Sequence, residues 1–237
     1  MKKSAFPIGG KAASCLVAIV VATAALAAQQ PPHNYPSMAP LSQYLIPDRA
    51  AEIALARSAA PPSISSQATV LVLQPHGYVT AVEGKNGFVC VVERSWMSPF
   101  DAPQFWNPKL RGPICFNPQA AKSILPITYK RTELVLSGQS KEEIRKDIEQ
   151  AYADKQLPPL EPGAMSYMMS KQGYLDDQFG HWISHLMFYT ATNVNWGADQ
   201  AGSPVMLNPQ FHGAPEPVNV LMIPAGKWSD GSPSPAM

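Results

Sequence analysis

The sequence predicts an α+β fold: one domain with a mostly antiparallel sheet, built from 68–94 and 164–224, and helices packed on one face. Three observations point there. Short β-branched runs crowd together between Ala68 and Arg94. A strongly signalled amphipathic helix follows at 140–155. Further strand candidates come after the helices without βαβ alternation, which is the order of an α+β chain and not of a parallel one.

The N-terminus has the three-part layout of a secretory signal. Lys2, Lys3 and Lys11 precede an apolar stretch from Ala12 to Leu26, and Ala25-Leu26-Ala27 puts small residues where signal peptidase needs them. Cleavage is expected after Ala27 or Ala28, so 1–28 is read as a signal peptide. The run is too short for a membrane anchor, which needs about 20 apolar residues. Cys15 precedes most of the apolar run, which excludes a lipoprotein signal. Residues 29–46, rich in Pro, Ser and Gln, read as a loose leader. The domain is expected over 47–226, with a loose tail over 227–237.

Removing the signal changes the chemistry. The full chain carries a net charge of +1; losing three lysines and no acid leaves 15 basic against 17 acidic residues, a net −2. That argues against nucleic acid and anionic membrane surfaces as partners. No other segment is long and apolar enough to span a bilayer. Cys90 and Cys115 remain as an even pair, and the oxidising compartment of an exported chain, periplasmic or extracellular, favours a bridge between them. The loop closed would be about 25 residues, worth about 3 kcal/mol.

Within the domain, Pro47-Asp48 opens a short helix that Pro61-Pro62 stops. Thr69–Leu73, Tyr78–Val82 and Phe88–Val92 read as three strands. The Asn86-Gly87 pair between the last two suits a tight hairpin, so an antiparallel meander is expected. Ser95–Pro118 carries large aromatics among five prolines and reads as irregular chain wrapping the sheet. Asn117-Pro118 starts a short helix. Thr128–Leu136 is a second helix, ended by Gly138. Ser140 and Glu143 form a capping box, and Ile144, Ile148, Ala151 and Tyr152 recur at helical spacing behind it. Ala164–Ser170, Leu186–Ala191 and Val218–Pro224 complete the strands.

The candidate sites are few. His181 and His185, four residues apart, would chelate a metal with Asp177 as oxygen ligand if the chain turned there. They would also serve a hydrolase, with Asp176 or Asp177 beside them. On a strand they would lie roughly 13 Å apart and could not share an ion. Cys90 with His185 as a nucleophile pair is disfavoured by the mid-strand position of the thiol. Met165, Met168 and Met169 as copper ligands compete with a plain core role. Glu83, Glu93 and Glu133 show no pairing of the glycosidase kind. Trp96, Phe100, Phe105 and Trp106 either line a ligand pocket or cover the core, and the bulk of their side chains favours the core. No nucleophile elbow, zinc-protease motif, phosphate loop or dinucleotide fingerprint is present, and no particular cofactor is implied.

Several segments together resemble a group of exported bacterial proteins to which no activity is assigned: 86–92 (Asn-Gly-Phe-Val-Cys-Val-Val), 112–116 (Gly-Pro-Ile-Cys-Phe), 167–170 (Tyr-Met-Met-Ser) and 181–189 (His-Trp-Ile-Ser-His-Leu-Met-Phe-Tyr). The resemblance covers about 67–225 and implies export and one domain spanning both strand-rich regions. Where similar chains carry prolines between the two histidines, this one has Ile183-Ser184. Two functional readings follow. The first is a non-enzymatic exported protein that binds a small molecule or an envelope component. The alternative is a hydrolase, metal-assisted or not, using His181 and His185.

Overall fold

Helix α1 (Arg49–Arg57) starts where its cap sits: the Asp48 carboxylate accepts the Ala50 amide at 2.8 Å. The structure, a computed structural model, describes residues 1, 35–177, 180, 183–208 and 214–235. Residues 2–28, expected to be a signal peptide, and His181 lie outside the described residues. From Pro32 onward the chain forms one compact unit. It contains α1, α2 (Pro62–Ser65), β1 (Thr69–Gln74), β2 (Gly77–Val82), β3 (Val89–Glu93), β4 (Gly112–Phe116), α3 (Pro118–Ser123), α4 (Leu125–Leu136), α5 (Lys141–Ala153), β5 (Met165–Met168), β6 (His185–Thr190), β7 (Met206–Leu207) and β8 (Asn219–Pro224). The α+β class is as expected. One eight-stranded sheet runs in the order β2-β1-β3-β4-β5-β6-β8-β7, antiparallel at every step except β1–β3.

The meander expected over 68–94 is replaced by a crossing. β1 and β2 form a hairpin, but β3 lies on the other side of β1 and parallel to it, with Thr69 opposite Val89 and Val70 opposite Cys90. The reason lies in the linker. Lys85 N donates to Gln67 O at 2.8 Å, Gly84 N to Thr69 Oγ1 at 3.0 Å and Asn86 Nδ2 to Ile64 O at 2.8 Å. These bonds fold 84–86 across the start of β1. A Cβ at Gly84 would stand 2.1 Å from Thr69 N, so only glycine permits the close crossing. Asn86-Gly87 therefore serves a crossover and not a hairpin.

β4 falls within the segment expected to be irregular. Pro113 disguises it, because proline is a poor mid-strand residue. It is tolerated because β5 pairs only with Cys115 and Phe116, leaving Pro113 beyond that ladder. Cys90 and Cys115 face each other across β3–β4 and form a disulfide.

Helices cover both faces of the sheet, not one. Leu71, Val91, Ile114 and Phe116 face α3 and α4 and pack with Ala120, Ile124, Leu125 and Ile127. Val70, Cys90, Val92 and Cys115 face the other way and pack with Ala56, Ala59 and Ala60 at the end of α1. Runs such as Val70-Leu71-Val72-Leu73 are what a strand covered on both sides requires. A third cluster joins Tyr44, Leu73 and Trp96 to Leu134, Val135, Ile144 and Ile148 of α4 and α5.

Two charged pairs lie inside. Arg94 Nη2 meets Glu52 Oε1 at 2.7 Å, and Arg131 Nε meets Glu216 Oε1 at 2.7 Å. Each guanidinium has further acceptors: Arg94 Nε reaches Tyr44 O, and Arg131 Nη1 reaches Trp96 O and Ser98 O. Tyr44 is fully buried, so the leader is packed into the domain by this point. The tail is packed too. Trp228 is buried, Ser184 Oγ donates to Lys227 O at 2.6 Å, and Ser229 N donates to Met169 O at 2.9 Å. Small polar residues there close turns instead of dissolving the chain. No helix among the described residues is long and apolar enough to cross a membrane.

Candidate functional site

His185 opens β6 and is buried. Its Nδ1 lies 2.8 Å from Ile183 O, and a carbonyl only accepts, so Nδ1 carries the proton. Burial pushes the imidazole pKa below its ordinary value, partly offset by that bond, so the ring is neutral at pH 7. It lines a hollow with Pro113, Met168, Ser170, Leu175 and Ile183, with a volume of about 10 Å³. That is room for about one water.

Asp177 sits on a tight turn closed by Leu175 N to Gly180 O at 2.6 Å. Its carboxylate accepts from Tyr35 Oη at 2.5 Å, from Tyr174 Oη, and from Lys109 Nζ at 3.3 Å. Burial by itself would raise its pKa; the three donors outweigh it and hold the group below the usual carboxylate range. Asp177 is therefore an ionised anchor tying Tyr35 to this loop, poorly suited to taking up a proton. Among the described residues no three His, Cys, Asp or Glu side chains are grouped to hold a metal ion.

The aromatic candidates are core. Trp96 is fully buried, its ring 5.2 Å from Tyr44, and its Nε1 donates to Thr132 Oγ1 at 3.0 Å. Phe105 and Trp106 meet edge to face at 4.7 Å beneath α5. Phe100 carries the Arg131 guanidinium 4.3 Å above its ring. None of the four presents a face to a ligand. Of the two roles weighed for Trp96, Phe105 and Trp106, a ligand pocket or core cover, they fill the second, which their bulk favoured, because α4 and α5 pack against them.

The surface offers a different aromatic. Trp196 is 52% exposed, and its backbone is left-handed, at φ 48°. Such a conformation costs a bulky residue about 1–2 kcal/mol. The loop holds it there: Asn195 Oδ1 accepts from Gly197 N at 3.0 Å, Asn195 Nδ2 donates to Asp199 Oδ1 at 3.2 Å, and Asn219 Nδ2 reaches Thr192 O and Val194 O. The indole centroid lies 5.4 Å from that of Phe188 on β6, tilted by 58°. Together with Leu160, Pro162, Ala164 and Val194 the two rings line a groove of about 320 Å³, with Glu161 and Thr190 as polar members. That is the lower end of the size of small-molecule sites.

No known protein family, curated protein or solved structure matches this chain.

The groove therefore stands on its own geometry. Sequence reasoning passed over Trp196, although a signal was there. It lies in Thr-Asn-Val-Asn-Trp-Gly-Ala-Asp-Gln, a polar turn-forming run with no strand or helix period to bury it. Glu93, which shows no carboxylate pairing in the sequence, is distinguished in the fold by its protonation state. Burial pushes its carboxyl up to about 7, against the lowering effect of Thr128 Oγ1 at 2.9 Å and of Arg131.

Proposed function

We propose that this chain is an exported, non-enzymatic protein that binds a small molecule or an envelope component in the groove that Trp196 and Phe188 line together. The observation that carries the reading is the exposed indole held at an unfavourable backbone angle by its own loop. Burial cannot explain that expense, and presenting a rigid aromatic face to a ligand can. Thr190 and Glu161 add hydrogen-bonding groups to the groove that the ring lines. A ligand with a flat apolar face edged by hydroxyls, as in a pyranose, fits that arrangement. The Cys90–Cys115 bridge and the signal-like N-terminus support export.

The hydrolase reading has less support. Its acid, Asp177, is already engaged by three donors, and His185 is turned toward Ile183 O.

Calorimetric titration of the secreted protein with N-acetylglucosamine oligomers, and with neutral hexose oligomers, tests the proposal. Binding that falls at least tenfold in Trp196→Ala, with unchanged melting of the core, is the expected result. Binding unaffected by that change, or no binding to either series, overturns it.

A further inference from the structure

The two ends of the sheet are finished differently. At one end β7 is two residues long, a common way to blunt an edge. At the other end β2 runs six residues, Gly77-Tyr78-Val79-Thr80-Ala81-Val82, without a proline or a charge, and it pairs with β1 in regular register from Gly77 to Thr80, slipping by one residue only at Ala81. The β1–β2 turn contains two residues, so Gln74–Gly77 and Val72–Val79 are the hydrogen-bonded pairs of the hairpin. Tyr78 and Thr80 then direct their amides and carbonyls away from β1, where no further strand pairs among the described residues. The reach of Arg49 Nη2 to Thr80 O, at 3.5 Å, shows that this carbonyl points outward. Val79 is 42% exposed, on the face that α1 covers further along the sheet.

We propose that β2 pairs antiparallel with β2 of a second copy of this chain, about a twofold axis through Val79. The register follows from the outward groups. Tyr78 of each copy exchanges two hydrogen bonds with Thr80 of the other, giving four across the axis. Val79 then stands directly opposite its counterpart as a non-hydrogen-bonded pair, the closer kind, and the exposed side chains cover each other. The symmetry is isologous, so the same patch serves both copies. Charge agrees with it. The strand carries no charged residue, so no like charges meet along it when two copies pair. Arg49 is the competing group: its exposed side chain covers Thr80 O in the single chain and must swing aside for pairing. The result is one continuous sheet of two eight-stranded halves.

Sedimentation equilibrium of the secreted protein over a wide concentration range tests this. A reversible monomer–dimer equilibrium is expected. Val79→Lys should weaken it roughly tenfold or more, since like charges would then stand directly opposite. Thr80→Pro removes an outward amide that β1 does not use, so it should abolish pairing while the circular dichroism of the monomer is kept. Arg49→Ala should strengthen pairing. A protein that stays monomeric at every concentration overturns the proposal, as does a dimer that neither Val79→Lys nor Thr80→Pro weakens. A change in these equilibria leaves saccharide titration at Trp196 untouched, so the two readings fail separately.

Discussion

Arg94 and Glu52 meet at 2.7 Å with neither side chain reaching water, and between them they join four parts of the fold. The same Glu52 oxygen accepts the Leu73 amide of β1, and Arg94 holds Tyr44 O of the leader and Val92 O of β3. Removing one partner strands the other charge inside. Glu52→Ala should therefore destabilise the domain by about 3–5 kcal/mol in urea unfolding. A loss below about 1 kcal/mol, the range of a surface pair, would mean that water reaches Arg94.

The Cys90–Cys115 bridge links residues 25 apart in sequence and should contribute about 3 kcal/mol through the unfolded chain. Reductant, or Cys90→Ala with Cys115→Ala, should lower the melting temperature by roughly 6–12 °C for a domain of this size. Thiol titration of the folded protein without its first 28 residues should find no free cysteine. One or more titrating thiols would contradict the bridge.

What was legible in the sequence was what is decided locally. The α5 capping box is written in Ser140 and Glu143 and forms as read, with Ser140 N donating to Glu143 Oε2 at 2.8 Å. Asp48 and Asn117 cap their helices in the same way. The strand runs were visible, but their neighbours were not. Asn86-Gly87 signals a hairpin by composition, and only the bonds that 84–86 make to 64–69 turn it into a crossover. Pro113 hid β4, because its tolerance depends on how short β5 is. For the site, the bulk of Trp96 and Trp106 pointed to the core, where both lie, but bulk alone does not decide exposure, which depends on what packs above the ring. Trp196 shows the converse.

The Glu93 carboxyl gives a pH signature. Its folded pKa, about 7, lies above the unfolded value near 4.5. Between those values the folded state holds a proton that the unfolded state has released, so stability should fall as pH rises from about 4.5 to 7. The loss is on the order of 2–3 kcal/mol, reduced from the full shift because part of the residue faces water. Glu93→Gln keeps the shape and removes the titration. Urea unfolding across this range should therefore give a flatter profile for the variant, and identical slopes would show that Glu93 does not titrate there.

The strain at Trp196 can be separated from the contribution of its ring by comparing two truncations. Trp196→Ala and Trp196→Gly both delete the indole and its contact with Phe188. They differ only in the backbone: alanine still resists φ 48°, and glycine adopts it freely. The glycine variant gains more chain freedom when unfolded, which works against it by several tenths of a kcal/mol. Relief of the left-handed angle, about 1–2 kcal/mol, is larger. Trp196→Gly should therefore melt above Trp196→Ala, with saccharide binding lost in both. If alanine is the more stable of the two, the loop does not force the angle, and the argument that the indole is held out for a ligand loses its footing.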